Sequence, residues 1–291
     1  MYAITGITGH VGGATARALR AAGAPVRAVI RDPERAGAWL GQGAEVAVAD
    51  FTDRTALTAA FTGCRGAFVM LPTVATGTDA DHRRMADSIA AAVAAAGVPY
   101  VVMLSSIGAD LAEGTGPIRW LHHLENRVRE TGALLTAIRS PHFQEKAETV
   151  LGAATGAGVY PVFGESADVP TPMVATRDVG VAAAHALTSP PEAGEVVDLE
   201  APSYTERQVA EKLGALLGRT LEVVTIPRSG WPDALAGAGV PPLLAAELVE
   251  LHDAGNRGLL RPRGDRRYRC TTELDDTLRQ IVPGRPVRPA T

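Results

Sequence analysis

Cysteine is nearly missing from this chain: Cys64 and Cys270 stand far apart, with no metal-ligand spacing around either. That excludes a disulfide framework and a zinc site, and no other metal site is expected. Both are expected to be plain thiols in a reducing cytoplasm. An excess of positive charge is missing too, since the formal net charge is -4, so neither a nucleic acid nor an anionic membrane is an expected partner. Long apolar runs are lacking: the longest, Ile89 to Leu104, is broken by Gly97 and Pro99 into an alanine-rich helix and a short strand. The N-terminus has neither a basic leader nor a cleavage site, because a strand begins at once. The chain is therefore expected to be cytoplasmic, neither exported nor embedded. Repeats and low-complexity tracts are also absent.

What is present is enough to bury a large core: 291 residues, 46% hydrophobic and 21% charged. Six short apolar runs alternate with segments of helical period: "YAIT", "VRAVI", "AEVAVAD", "GAFVML", "YVVML" and "LLTAI". Strands apolar on both faces are covered on both faces and must be parallel, which predicts an α/β fold with a Rossmann-type doubly wound parallel sheet. After about residue 142 glycine and proline become denser, and "VVDLE" and "LEVVTIP" flank the helix "TERQVAEKLGALLG". The expected division is a Rossmann domain over residues 1–142 and a smaller α/β substrate domain over 143–291, with the helix at 175–189 packing back on the first.

The stretch "GITGHVG" joins the first strand to the first helix. Gly6 permits a tight turn, Gly9 lets a phosphate approach without a Cβ in its way, and Gly12 lets the helix lie close to the strand. Bare N–H groups from Thr8, His10 and Val11 then face a helix N-terminus whose dipole favours a pyrophosphate. A glycine-rich turn without a ligand is the alternative. Asp32 lies 20 residues beyond Gly12, where an NAD site would hold a ribose hydroxyl, but it precedes Pro33 and also reads as a helix cap. Arg31 and Arg35 are placed to grip a 2′-phosphate, a contact worth roughly 1.5–3 kcal/mol. NADP(H) is therefore expected over NAD(H), unless both arginines are solvated surface charges. Asp50, beside Phe51, is placed to accept from the adenine amino group or to cap a helix.

Together "AITGITGHVGGATARALRAAG", "VRAVIRDPERA", "VVMLSSIGAD", "TAIRSPHFQE" and "ATRDVGVAAAHAL" resemble the NmrA-like branch of the atypical short-chain dehydrogenases/reductases. The likeness extends through "TERQVAEKLGALLGRTLEVVTIP" to the closing "PGRPVRP". It implies an NADP-binding Rossmann domain with a small substrate domain, in a family spanning quinone reductases, azo-dye reductases and a redox-sensing regulator. The wider superfamily places a serine after the fifth strand and a Tyr-x-x-x-Lys pair on the next helix. Ser105 and Ser106 stand at the serine position. The helix "IRWLHHLENRVRETG" has neither tyrosine nor lysine, and His122 and Asn126 align with that pair, one turn apart on one face.

His122 is then the leading candidate proton donor, with Ser105 and Asn126 beside it, against a role in interdomain hydrogen bonding or protonation by solvent. Leu121, Leu124 and Val128 form the expected buried stripe of that helix, with His123 facing solvent. Leu71, Pro72, Ser105 and Ser106 should edge the cofactor. Thr73, His142 and Phe143 should border the substrate, with Trp120 and Phe163 completing a flat apolar wall unless they are core. His142 is a reserve acid. Six arginines between Arg257 and Arg269 read as a solvated surface loop, and "LLAAELVELHDAG" as a lid helix.

Two functional classes follow. One is an NADPH-dependent oxidoreductase passing hydride to a quinone, enone or other conjugated carbonyl compound; the other is a non-catalytic NADP(H)-sensing protein acting through a protein partner. Either is expected as a monomer or homodimer.

Overall fold

The computed structural model describes residues 1–282, so the "PGRPVRP" stretch lies outside the described residues. Its first half runs β1 (Tyr2–Ile4), α1 (His10–Ala21), β2 (Val26–Ile30), α2 (Gly37–Leu40), β3 (Glu45–Val48), α3 (Arg54–Phe61), β4 (Gly66–Val69), α4 (Asp79–Ala96), β5 (Tyr100–Ser106), α5 (Ile118–Arg129) and β6 (Leu134–Ser140). The second half runs β7 (His142–Phe143), α6 (Leu151–Gly156), β8 (Val159–Phe163), β9 (Thr171–Val174), α7 (Thr176–Thr188), β10 (Glu195–Glu200), β11 (Ser203–Tyr204), α8 (Glu206–Leu217), β12 (Glu222–Ile226), α9 (Trp231–Gly237), α10 (Pro242–Asn256), β13 (Arg266–Arg269) and α11 (Leu274–Ile281).

Eight strands form one sheet in the order β13-β10-β6-β5-β4-β1-β2-β3, every neighbouring pair parallel. The order reverses between β1 and β4, and the crevice beyond their carboxyl ends is where such sheets bind ligands. Apolar side chains alternate to two cores. One packs Ile4, Phe68, Val102 and Ile138 beneath α1 and α7; the other packs Ala3, Val69, Met103 and Ala137 beneath α3, α4 and α5. Gly180 sets the α1–α7 approach, since a Cβ there would lie 2.4 Å from the Ala14 Cβ.

All six expected strands lie in this sheet, but it also takes two strands from the second half, so residues 143–291 are not a single separate unit. "VVDLE" belongs to β10, which pairs with β6 from Glu195↔Thr136 to Asp198↔Arg139 and has Val197 and Leu199 in the core. Part of the arginine run, expected as a loop, is the edge strand β13. Two of its three arginines are ion-paired: Arg266 binds Glu195 at 2.7 Å and Arg267 binds Glu200 at 2.7 Å. Charged side chains along an edge discourage pairing with another sheet.

The remaining elements form the smaller layer. Strands β8 and β12 pair in parallel, and β7, β9 and β11 form a three-stranded sheet. Tyr160, Val162, Leu213, Leu274 and Leu278 make its core. Helix α10 straps this layer to the first: Glu247 receives the Arg119 guanidinium of α5 through both carboxylate oxygens, and Asp253 receives Arg228 at the far end.

Candidate active site

The turn after β1 is shaped by glycine. Gly6 has φ +59°, where an L side chain is strained, and its carbonyl accepts the Gly9 N–H at 2.9 Å. A Cβ on Gly12 would lie 2.4 Å from that same carbonyl oxygen, so the strand and helix approach only because it is absent. Gly9 is the N-cap of α1 without a side-chain cap, leaving first-turn N–H groups open. The result is a concave amide cradle at the mouth of a twelve-residue helix, as a pyrophosphate requires. Thr8, Gly9 and His10 are exposed there, whereas Val11 is buried.

Asp32 is occupied by its own turn: its Oδ1 accepts the Glu34 N–H at 3.0 Å as the cap of the short 3₁₀ turn Pro33–Ala36. Arg31 and Arg35 are exposed beside it. Asp50 accepts from both the Thr52 hydroxyl at 2.6 Å and the Thr52 N–H at 2.9 Å. Those bonds, helped by the Arg31 charge, hold its carboxyl below the usual range. Phe51 is half-buried at the end of this strand. Leu71 is buried and Pro72 half-buried after β4, while Thr73 is exposed; the next residue, Val74, donates its N–H to His82 Nε2 at 3.0 Å.

The α5 candidates are differently disposed. Ser105 does not face the crevice; its hydroxyl donates to Glu125 Oε1 at 2.6 Å in a buried network. Arg139 grips the same carboxylate through two bonds, at 3.0 and 2.8 Å, and Arg129 adds a third guanidinium contact at 2.8 Å. Burial alone would raise the Glu125 pKa, yet Arg139 and Ser105 hold it below the ordinary value. Ser106 is half-buried and bonds the Ile107 carbonyl at 3.1 Å. His122 and Asn126 meet as expected, the Asn126 amide lying 2.9 Å from Nε2, but Nδ1 lies 2.9 Å from the Ala109 carbonyl. The imidazole therefore carries its proton on Nδ1, and both ring nitrogens are engaged within the protein.

Trp120 is core and lines no cleft: it is 3% exposed, stacks on His82 with centroids 3.6 Å apart, and donates its indole N–H to Asp79 at 2.9 Å. It replaces Leu121, which is half-buried, in a buried row with Leu124 and Val128. His123 bonds Asp87 at 2.9 Å and is half-buried. The aromatic pairing instead joins Phe163 to His252, a residue with no local sequence signal, with the fully buried Trp231 packed behind them. Phe163 and His252 stack at 5.1 Å and 12°, and Trp231 closes on the imidazole at 5.5 Å.

His142 and Phe143 on β7 are half-buried at the ends of the parallel strands. Desolvation, with the nearby Lys146 charge, pushes His142 down to about 3; the same two causes push His252 down to about 4. Lys146, in the 3₁₀ segment Gln144–Val150, was missed in the sequence. It is solvent-exposed, yet desolvation by the surrounding protein lowers its ammonium pKa against the attraction of Glu206. Two residues on, Glu148 reaches His10 of the glycine turn at 3.4 Å. Among the described residues no group of three or more His, Cys, Asp or Glu side chains could hold a metal, and no helix is long and apolar enough to cross a membrane.

The NmrA-like family matches residues 2–257. The chain belongs to the NmrA-like family. This NmrA-like chain is 32% identical over 251 residues to a (4-alkanoyl-5-oxo-2,5-dihydrofuran-3-yl)methyl phosphate reductase of Streptomyces griseus subsp. griseus, covering 85% of each chain. It is 28% identical over 254 residues to an NAD(P)H azoreductase of Xenophilus azovorans, covering 87% of this chain and 86% of that one. In three dimensions it resembles an NADPH-dependent quinone oxidoreductase of Escherichia coli solved with NADPH, with a TM-score of 0.79 at 23% identity over 97% of this chain and 99% of that one.

Proposed function

We propose that this NmrA-like protein is an NADP(H)-dependent oxidoreductase acting on a quinone, an azo dye, an enone or another conjugated acceptor. The observation that carries this reading is the placement of two features on one edge of the sheet. An amide cradle with open N–H groups at the mouth of α1 is reached by Glu148 of the smaller layer, in which the stacked pair Phe163 and His252 offers a flat apolar face. Reductase relatives acting on azo compounds and on an unsaturated lactone phosphate agree with it.

The residues divide the work. The N–H groups of α1 hold the pyrophosphate, Gly12 keeps the helix close, and Arg31 with Arg35 grips the 2′-phosphate, because Asp32 is committed to its own turn. When bound, the reduced dinucleotide supplies hydride. The aromatic wall orients a planar acceptor and keeps water from the transfer path. Buried Glu125 and Arg139 fix the ends of β5 and β6 against α5, and through that frame the positions of Ser106 and His122.

The test is NADPH consumption, followed by absorbance, with menadione, an azo dye and an enone. At least one should be reduced, and Arg31→Ala should weaken NADPH binding about 10- to 100-fold while leaving NADH binding nearly unchanged. Failure with every acceptor, joined to equal affinities for NADP⁺ and NADPH, would favour a sensing role. An unchanged cofactor preference in Arg31→Ala would remove the phosphate grip.

A further inference from the structure

The loop that follows β4, residues 71–78, is fastened at both ends. At its near end the Thr5 hydroxyl donates to the Phe68 carbonyl at 3.1 Å and accepts the Met70 N–H at 3.2 Å. Met70 presses so closely on the glycine turn that a Cβ on Gly6 would lie 2.9 Å from its Cγ. Leu71 and Pro72 therefore leave the sheet beside the amide cradle, where the strand order reverses. The far end is held by His82, in the first turn of α4.

His82 is fully buried and reaches back to the loop with both ring nitrogens. Nε2 accepts the Val74 N–H at 3.0 Å, which places the ring proton on Nδ1, 2.8 Å from the Thr78 carbonyl. Inside that span the Gly77 N–H closes a turn on the Val74 carbonyl at 2.9 Å. The imidazole is itself fixed in place. Trp120 stacks on it with the planes 1° apart and is anchored through its indole N–H on Asp79. Gly77 packs against its edge, since a Cβ there would lie 3.0 Å from the His82 Cε1. The start of α4 does not depend on this ring, because Thr78 and Asp81 already form a reciprocal capping box. The imidazole thus serves the loop, in which Thr73, Val74 and Thr76 are exposed.

We propose that His82 is a positioning residue for the dinucleotide, a clip that keeps residues 71–78 in the shape that edges the cofactor crevice. This rests on the cofactor-binding reading above, and adds to it a residue outside both the glycine turn and the Arg31–Arg35 pair. A loop ordered beforehand spares the ligand the cost of ordering it. One that holds its binding geometry only about a tenth of the time weakens apparent affinity about 10-fold.

Calorimetry with NADP⁺ and NAD⁺, run beside urea unfolding, tests this on the full chain. His82→Phe keeps a flat ring against Trp120 but offers Val74 no acceptor, and should weaken both cofactors about 10-fold. His82→Gln restores an amide oxygen near the Nε2 position and should bind within about 3-fold of wild type. Gly77→Ala leaves the imidazole in the chain but pushes it off the turn, and should match His82→Phe, which keeps the test decisive should His82→Phe fold poorly. The loss should be equal for the two cofactors, unlike that of Arg31→Ala, which is confined to the phosphorylated one. With any acceptor that is reduced, KM for NADPH should rise in His82→Phe by the same factor while kcat changes less than about 3-fold. A merely structural histidine would lower the urea midpoint and leave both affinities unchanged. That result, or His82→Gln as weak as His82→Phe, would overturn the proposal and leave the reductase reading standing. A wild-type chain that binds neither cofactor would bring down both.

Discussion

Glu125 is the residue on which the frame of the site turns. It is 1% exposed, and a lone carboxylate so placed would be protonated or would unfold its surroundings. Instead Arg139 meets it side-on with two bonds, and Ser105 and Arg129 fill the remaining lone pairs. A buried pair of this kind contributes little against an apolar replacement, but breaking it strands a charge. Glu125→Gln should therefore cost about 3–5 kcal/mol in urea unfolding, because Arg139 keeps its charge and loses its partner. The double variant Glu125→Leu with Arg139→Met should recover most of that loss. A single-variant loss below about 1 kcal/mol would mean that Arg139 finds another partner, Asp110 at 3.8 Å being the nearest. The arginine inside the apolar run "LLTAIRS" advertised such a partner, since a charge on a buried strand demands one.

The α1–α7 contact governs the cradle at the scale of elements. Gly180 lies so close to α1 that a Cβ would sit 2.7 Å from the Ala14 carbonyl carbon and the Thr15 nitrogen, both backbone atoms that cannot rotate away. Gly180→Ala should cost about 1–3 kcal/mol by overpacking, and should also weaken NADP⁺ binding by moving α1. Gly152→Ala on α6, where a Cβ meets nothing within 4 Å, should be neutral or stabilising by up to about 1 kcal/mol. Equal effects in urea unfolding and calorimetry would show that the close approach does not set the cradle. Much of this scale was legible in sequence: six apolar runs with helical spacers lie in the parallel sheet, and the glycine spacing marked the turn. The edge strand β13 was hidden because Arg266 and Arg267 are satisfied by Glu195 and Glu200, more than sixty residues away, so no local alternation of apolar side chains betrays it. Trp120 was misread as cleft wall although it stands four residues before Leu124 and eight before Val128, the helical spacing of a core stripe. Phe163, His252 and Trp231 come together only through tertiary contacts, and no spacing encodes that.

At the scale of the whole molecule, the smaller layer and α10 press two imidazoles into low-dielectric surroundings where they stay neutral. His142, pushed down to about 3, and His252, pushed down to about 4, both have an ordinary value of 6.5 in the unfolded chain. Between those values the unfolded state binds protons that the folded state refuses, so stability rises with pH across that window. Their contribution is fully present above about pH 6.5, declines as pH falls below it, and is lost once pH reaches the folded values. Each imidazole accounts for at most about 1.4 kcal/mol per pH unit within the window. Urea midpoints measured from about pH 7 down to about pH 5, above the range where carboxylates dominate, should therefore fall steadily in wild type. His142→Gln and His252→Gln should each remove roughly half of that slope, and the double variant nearly all of it. A double variant as acid-sensitive as wild type would show that both imidazoles protonate freely in the folded protein. The surroundings of His142 and His252 would then be wetter than their crowding implies.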